Sequence, residues 1–285
     1  MWRFRADIPL RRELKAQRAA RFARMPLVSV VVPLYNTPPK FLREMMRSVL
    51  GQTYAGLELV LTDASDAAHG EVEKAVRAVR DARVHYIRLA KNGGIAENTN
   101  AALAAAQGEY IALLDHDDVL TPNALYEAVK AVNEQGADFV YSDEIVLDST
   151  LKKLGEYHFK PDFSPDTLRG CNYITHLAVF SRALLAAAGG GERAEFDGAQ
   201  DFDLILRLTE RAQNGGARSQ SAVLVARARR LHRQRHAGKA LCAGGGRGGG
   251  GGPASAPGHA RPRGTRSRQP RAHTTPGMTS RGPAA

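Results

Sequence analysis

Three carboxylates follow directly on a hydrophobic segment in GEYIALLDHDDVLTP, residues 108–122. Acidic groups crowded at the end of a buried strand repel one another and lose hydration unless a cation lies between them. Asp115, Asp117 and Asp118 therefore predict a site for Mg²⁺ or Mn²⁺, cations that carboxylates commonly bind together with substrate phosphates. This chemistry indicates a phosphorylated or nucleotide-linked substrate. The alternative is a solvated acidic turn that caps the next helix.

The segments that must position these carboxylates alternate between strand and helix patterns. Continuous β-branched or apolar runs predict strands at 28–35, 57–63, 84–89, 109–115 and 138–143. Apolar residues at helical spacing fill the intervals between the strands. This alternation predicts an α/β fold, in which a mostly parallel sheet carries helices on both faces.

Polar side chains end three of the predicted strands. Tyr35 and Asn36 follow the first strand, Asp63 ends the second, and Asp115 ends the fourth. Ligands of such sheets bind in the crevice beyond the carboxyl ends of the strands, so we expect one nucleotide site there. Asp63 can accept a hydrogen bond from the imide N–H of uracil or thymine, Tyr35 can stack on the base, and Pro33 can hold the loop close. An Asx-turn for Asp63 and a half-buried core position for Tyr35 are the alternatives.

The net charge of the chain differs by region. The formal total is +11, but the stretch from Arg211 to the end holds 15 Lys and Arg and no acidic residue. The first 26 residues hold eight basic and two acidic side chains, which leaves residues 27–210 at −10. Because nucleic-acid binding depends on neutralising phosphates with basic side chains, we expect no nucleic-acid partner for this acidic region.

Composition divides the chain into a basic helical segment at 1–26, one domain at 27–212 and a Gly/Arg/Ala/Pro tail at 213–285. The tail has few large apolar side chains and is predicted to be disordered, with a basic RNA- or phosphate-binding arm as the alternative. No apolar run approaches the length of a membrane span, and the N-terminus lacks the apolar core of a secretory signal. We therefore expect a cytoplasmic location, and the basic segment allows peripheral contact with the inner face of the cell membrane.

Five ordered segments carry a family resemblance that covers about residues 27–210. They are VSVVVPLYNTPPKFLREMMRSVLGQTY, NGGIAENTNAAL, GEYIALLDHDDVLTPNAL, FKPDFSPDTLRGCNYITHLAVFSRALL and GAQDFDLILRL. The chain resembles the family 2 glycosyltransferases of the GT-A fold, in particular the bacterial polysaccharide and O-antigen type. The resemblance implies a Rossmann-like single domain that moves a hexosyl group from a UDP- or dTDP-sugar to a saccharide or lipid-linked acceptor, in cell-surface polysaccharide synthesis.

The resemblance also implies the residues of the nucleotide site. Pro33, Tyr35 and Asn36 match the nucleotide-binding start of such enzymes, and Asp63 matches the carboxylate that contacts the pyrimidine base. Thr62 stands where a further Asp is common in the family, which is a departure at the ribose or base contacts.

Metal and catalytic roles follow from the same resemblance. Asp115 and Asp117 match the DxD pair, with Asp117 the better candidate for direct metal coordination and Asp118 able to share that role. Asp201, in QDFD, falls where these enzymes place the catalytic base, although Gln200 replaces a common Glu. A base at Asp201 would take the proton of the acceptor hydroxyl in a single displacement that inverts the anomeric carbon. An N-cap carboxylate is the alternative for Asp201.

Three histidines are weaker candidates for contacts with the acceptor, namely His116, His158 and His176. A solvated or hydrogen-bonded histidine is the simpler interpretation of each. On the resemblance alone, residues 160–172 form the acceptor-side wall of the site.

The resemblance ends near residue 212, where the family would continue with a further strand. One hypothesis is that the tail is read out of frame, so that the chain is a truncated transferase. The alternative function is then a catalytically impaired, frameshifted remnant that still binds a nucleotide sugar. A nucleotidyltransferase is a further alternative, but it would need a Gly- and Lys/Arg-rich triphosphate loop, and none follows the first predicted strand.

Overall fold

The computed structural model describes residues 9–147, 154–213, 217–218 and 225–228. All of them belong to Met1–Gly244, the first of two units into which the chain divides. Most of the predicted tail, including Gly245–Ala285, lies outside the described residues, as do residues 1–8 of the predicted N-terminal segment. The predicted domain limits therefore stay a prediction.

The described strands are β1 (Val28–Leu34), β2 (Leu57–Asp63), β3 (Val84–Arg88), β4 (Tyr110–Leu113), β5 (Asp118–Leu120), β6 (Phe139–Tyr141), β7 (Glu144–Leu147), β8 (Leu154–His158), β9 (Ala178–Ser181), β10 (Ala217–Arg218) and β11 (Val225–Ala228). The α-helices are α1 (Arg11–Ala19), α2 (Pro39–Leu50), α3 (Glu71–Arg77), α4 (Ile95–Ala105), α5 (Ala124–Gln135), α6 (Pro165–Gly170), α7 (Arg182–Ala187) and α8 (Gln200–Arg211). Short 3-10 turns lie at Ala67–His69 and Ala194–Phe196.

Two sheets organise these strands. The larger one has the order β10-β6-β9-β4-β1-β2-β3. Strand β1 runs parallel to β2 and β4, and β2 runs parallel to β3. Strand β9 runs antiparallel to both β4 and β6. The smaller one has the order β5-β11-β7-β8. The predicted α/β fold with a mostly parallel sheet is therefore confirmed.

The core lies on both faces of the larger sheet, because successive side chains of a strand point to opposite faces. Val30 and Val32 pack in one cluster with apolar side chains of α2, α3 and α5. Val31, which lies between them, packs in a second cluster with side chains of α4, α7 and α8. Both predicted helix layers are thus present, and β1 is buried from both sides.

A buried carboxylate joins the strands at the edge of the sheet where β1 and β2 begin. Glu58, which is 4% exposed, lies beside Ser29 in the register of β1 and β2. Its Oε1 accepts hydrogen bonds from Ser29 Oγ at 2.6 Å, Gln107 N at 2.6 Å and Gly108 N at 3.2 Å. One side chain therefore ties β1 and β2 to the turn that enters β4.

The sequence prediction was less accurate where strands are short. The predicted strand at 109–115 ends at Leu113, and Asp118 begins the separate strand β5, so the three carboxylates occupy a loop and a strand start. The predicted strand at 138–143 is shorter, and β7 follows it after two residues. The smaller sheet was not predicted, because strands of three to five residues leave little periodicity to detect.

No helix in the described part of the chain combines the length and the apolar character needed to cross a membrane.

Candidate active site

A cavity of about 480 Å³ lies at the carboxyl ends of β1 and β4. Its wall includes the start of α4, the residues that precede β9 and the first residues of α8. This is the place where an open α/β sheet binds its ligands. The cavity brings together Pro33, Tyr35, Asp115, Asp117 and Asp201 from the predicted site.

Three side chains around the cavity could hold a metal ion. One ligand atom each of Asp115, Asp118 and His176 lies within 4.8 Å of the others. His176 Nε2 lies 3.1 Å from Asp115 Oδ2, and Asp118 is fully buried at the start of β5. Two carboxylates and one imidazole form a donor set that suits Mn²⁺ or a similar divalent ion, so these residues fit the metal that the sequence predicts.

Asp117 is not a member of this group. It lines the same cavity and is 7% exposed, but the ligand atoms that converge are those of Asp115, Asp118 and His176. The preference for Asp117 in direct coordination stays a prediction, and Asp118 is now the better supported partner of Asp115.

His176 is held in place by a buried lysine. Lys160 is 4% exposed, and its Nζ donates hydrogen bonds to the carbonyl oxygens of Ile174, at 2.5 Å, and of His176. Glu144 Oε2 lies 3.7 Å from the same Nζ and also accepts a hydrogen bond from Thr175 Oγ1 at 3.0 Å. These partners compensate for the burial of the ammonium group. The two hydrogen bonds from Lys160 also fix the backbone on both sides of Thr175.

Asp201 lies in the first turn of α8 and lines the cavity. The N-cap of this helix is Ala199, so Asp201 is not the cap residue that the alternative interpretation required. Its Oδ2 accepts a hydrogen bond of 3.4 Å from Asn172 Nδ2. The neighbouring Gln200 folds back to accept a hydrogen bond from Gly198 N at 2.8 Å.

The predicted nucleotide residues fall into two groups. Pro33 and Tyr35 line the cavity. Asn36, which has a positive φ of 49°, is paired with Asp66 through two side-chain hydrogen bonds of 2.9 and 3.0 Å. Asn36 and Asp63 are not among the residues that line the cavity, so any contact of theirs with a nucleotide stays a prediction.

Asp63 is fully buried and already hydrogen-bonded. Its Oδ1 accepts from Ser65 N at 2.8 Å, and its Oδ2 accepts from Tyr86 Oη and Arg88 Nη1, each at 2.7 Å. Burial opposes ionisation, but the hydrogen bonds from Ser65, Tyr86 and Arg88 outweigh it and lower the pKa of Asp63. The same carboxylate adds to the effect of burial in raising the pKa of Tyr86 to about 12. Asp63 is therefore an ionised carboxylate that is already hydrogen-bonded within the protein.

The start of α4 forms another part of the wall, with Asn92, Gly94 and Asn98 among its residues. Gly94 has a φ of 95°, and a Cβ at this position would lie 2.7 Å from Asp197 Oδ2. Only glycine fits this conformation and this close approach. The positive end of a helix dipole favours an anion, and here Asp197 Oδ1 accepts a hydrogen bond of 3.4 Å from Ala96 N in the first turn of α4.

Sequence reasoning underrated or missed two residues of the cavity. His176 was expected to be a solvated or hydrogen-bonded histidine, yet it lies with Asp115 and Asp118. Glu192 was not considered, although it lines the cavity and is 8% exposed. The signal for Glu192 is weak, since a charged residue after three glycines usually indicates an exposed turn.

Solved structures with a similar fold include two that contain a nucleotide sugar. S. aureus TarS 1-349 in complex with UDP-GlcNAc matches with a TM-score of 0.56 and 22% identity, covering 71% of this chain and 58% of that one. The mannosyltransferase PcManGT from Pyrobaculum calidifontis, in complex with GDP-Man and Mn²⁺, matches with a TM-score of 0.56 and 20% identity, covering 78% and 64%. These similarities show that the chain has the GT-A fold.

The amino-acid sequence agrees with this result. The O-antigen biosynthesis protein RfbC of Myxococcus xanthus is 38% identical over 210 residues, which are 73% of this chain and 16% of that protein. The chain thus spans about a sixth of the length of this relative. Residues 29–184 match the family described as Glycosyl transferase family 2, and the chain belongs to this family.

Proposed function

We propose that the chain is a metal-dependent, inverting glycosyltransferase that moves a hexosyl group from a UDP- or dTDP-sugar to a saccharide or lipid-linked acceptor. Its place would be in the synthesis of a cell-surface polysaccharide. One observation carries the proposal: a single cavity is lined by Asp201 and by Asp115 and His176, which are two of the three candidate metal ligands. The family supports a nucleotide-sugar donor, and the UDP-GlcNAc bound by TarS supports a uridine nucleotide, whereas PcManGT binds GDP-Man.

We assign the following roles in binding and catalysis to residues of the chain. The start of α4 faces the diphosphate with the positive end of its helix dipole. Tyr35 and Pro33 lie against the nucleotide at the end of β1, and Asp63 accepts from the imide N–H of the pyrimidine. Asp201 removes the proton of the acceptor hydroxyl as that oxygen attacks the anomeric carbon, a step that contributes about 10²–10⁴-fold.

Asp115, Asp118 and His176 would hold the divalent ion, Mg²⁺ or Mn²⁺. When bound there, the ion neutralises the negative charge that develops on the departing nucleoside diphosphate. Lys160 keeps His176 in place through the backbone, and the fully buried Asp118 is fixed by strand β5. The chain thus supplies the ligands, the proton acceptor and the diphosphate wall from separate elements of one fold.

Thermal unfolding tests the donor site directly. The purified chain is melted with UDP, TDP, GDP and CDP, each with Mn²⁺ and each with EDTA. A ligand at 100 times its dissociation constant stabilises the folded state by about 2.7 kcal/mol, which raises the midpoint. We expect a rise with UDP or TDP that disappears in EDTA. A cooperative transition that no nucleotide shifts would refute the proposal, and a rise with GDP alone would refute the pyrimidine preference.

A lipid-linked acceptor would bring the protein to a membrane surface, and we include peripheral contact in the proposal. Helix α1 supports it, because none of its residues is buried and four of its nine residues are Lys or Arg. Sedimentation with phosphatidylglycerol vesicles should carry the chain down at low salt. Chain that stays in the supernatant under these conditions would remove the membrane contact and leave the transferase proposal intact.

A further inference from the structure

Glu192 is the most unusual ionisable side chain of the cavity. It is 8% exposed, and within the described residues no group donates a hydrogen bond to its Oε2. A buried carboxyl oxygen without a partner costs about 1–3 kcal/mol, so an unused acceptor of this kind needs a reason. The mechanism proposed above does not use it.

The backbone of Glu192 is held by one amide side chain. Asn100 Nδ2 donates to the carbonyl oxygen of Glu192 at 2.7 Å, and Asn100 Oδ1 accepts from its N–H at 2.8 Å. The preceding Gly191 leaves room for this amide, since a Cβ there would lie 2.0 Å from Asn100 Oδ1. Helix α4 therefore fixes the position of residue 192.

The same loop is held from the other side by a guanidinium group. Arg207 donates to the carbonyl oxygens of Ala188 at 2.9 Å, Gly190 at 3.0 Å and Gly191 at 2.7 Å. Its charge is balanced by Asp203, whose Oδ2 lies 2.9 Å from Arg207 Nη2. Glu192 thus stands on a rigid support, as expected of a residue that contacts a ligand.

The surroundings favour the neutral acid. Burial, and then the negative charges of Asp201, Asp115 and Asp197, raise the pKa of Glu192 to about 8, although a hydrogen bond with Thr99 opposes the rise. Thr99 Oγ1 also donates to the Ile95 carbonyl oxygen at 2.8 Å. Oε2 of Glu192 has no hydrogen-bond partner among the described residues and stays available as an acceptor.

We propose that Glu192 is a sugar-binding residue whose Oε2 accepts a hydrogen bond from a hydroxyl group of a sugar bound in the cavity. The inference rests on the proposed transferase function and adds a substrate contact to it. A neutral acid suits this task, because it binds a hydroxyl group without adding a further negative charge beside Asp201 and Asp115. The hydroxyl belongs to the donor sugar or to the acceptor sugar, and the experiment separates the two.

The test compares Glu192→Gln and Glu192→Leu with the wild type. The Gln amide can donate to Thr99 and still offer an oxygen to the sugar, whereas Leu fills the space without polar atoms. Glu195→Leu is the matched control, because Glu195 lies three residues away with a side chain that is 69% exposed. UDP release is measured with UDP-N-acetylglucosamine, UDP-glucose and UDP-galactose, with and without a saccharide acceptor, after the midpoint shift by UDP has shown that each variant folds.

We expect Glu192→Leu to lower kcat/KM at least tenfold, Glu192→Gln to restore most of the loss, and Glu195→Leu to match the wild type. A donor-sugar contact appears as a raised donor KM and slower hydrolysis without acceptor. An acceptor contact appears as a raised acceptor KM with unchanged hydrolysis. Wild-type kinetics in Glu192→Leu would overturn the inference and leave the transferase function standing. A wild-type chain that neither binds nor cleaves any nucleotide sugar would overturn both.

Discussion

The pH dependence of stability offers a sharp test of the environment of Glu192. Burial and three neighbouring carboxylates raise its pKa from 4.5 to about 8 in the folded chain, whereas the unfolded chain has the ordinary value. Between these two values the unfolded state binds fewer protons than the folded state. The free energy of unfolding therefore falls as pH rises, by up to about 1.4 kcal/mol per pH unit from this residue alone.

Replacing Glu192 with Gln removes this contribution and keeps a neutral side chain of the same shape. Relative to low pH, where the wild-type residue is protonated in both states, integration of the proton linkage makes the variant more stable than the wild type by about 0.8 kcal/mol at pH 5 and about 3.3 kcal/mol at pH 7. The difference between variant and wild type should thus grow by about 2.5 kcal/mol over these two pH units. Other titrating groups cancel in this difference, because they are common to both proteins.

Urea unfolding at pH 5, 6, 7 and 8 measures this difference, with EDTA present so that no cation neutralises Asp115. Glu195→Gln serves as the control, since the exposed Glu195 should give a difference near zero at every pH. A gap between Glu192→Gln and wild type that stays constant from pH 5 to pH 8 would refute the reasoning. Such a result would mean that Glu192 ionises as it does in the unfolded chain.

Three further predictions concern the active site and the sheet. Asp201→Asn should lower turnover by about 10²–10⁴-fold while UDP still raises the melting midpoint, because the variant loses the base and keeps the donor site; unchanged turnover would remove Asp201 as the base. His176→Ala should weaken the stabilisation by Mn²⁺, which is measured as the shift of the melting midpoint over a metal titration. The control Asp166→Asn should not weaken it, because the Asp166 side chain is 93% exposed. Equal midpoint shifts in the two variants would exclude His176 as a ligand. Glu58→Ala should lower the free energy of unfolding by about 3–5 kcal/mol in urea, since it strips an acceptor from Ser29 and two backbone N–H groups. Glu58→Gln should lose less, and equal losses would show that packing rather than hydrogen bonding holds this edge.

The sequence pattern was sufficient to predict the parallel strands of the larger sheet. The β-branched run at Val28–Leu34 and the apolar run at Leu57–Asp63 are long and bounded by turn residues, so their pattern identifies them as buried strands. The antiparallel strand β9 and the smaller sheet were not identified, because pairing between distant short strands depends on tertiary contacts that leave no local period.

The same limit applies to the site. Asp115 and Asp201 are recognisable because each belongs to a motif with a fixed spacing. Glu192 has no motif, and its burial depends on Asn100, which is 92 residues distant along the chain. His176 becomes a candidate ligand only when the segment before β9 folds beside the acidic loop. Contacts that distant parts of the chain create together cannot be read from either part alone.

The spacing of the candidate metal ligands also has a consequence for the order in which the site is made. Asp115 and Asp118 are neighbours, but His176 follows 58 residues after Asp118. At a synthesis rate of about 5–20 residues per second, the two carboxylates emerge about 3–12 s before the imidazole. For that interval the nascent chain offers an incomplete ligand set. If the proposed site binds a divalent ion, tight loading must therefore wait until the ribosome has passed residue 176. By then β1 to β8 have been synthesised and β9 to β11 have not, so metal uptake cannot be the step that starts folding of the parallel strands.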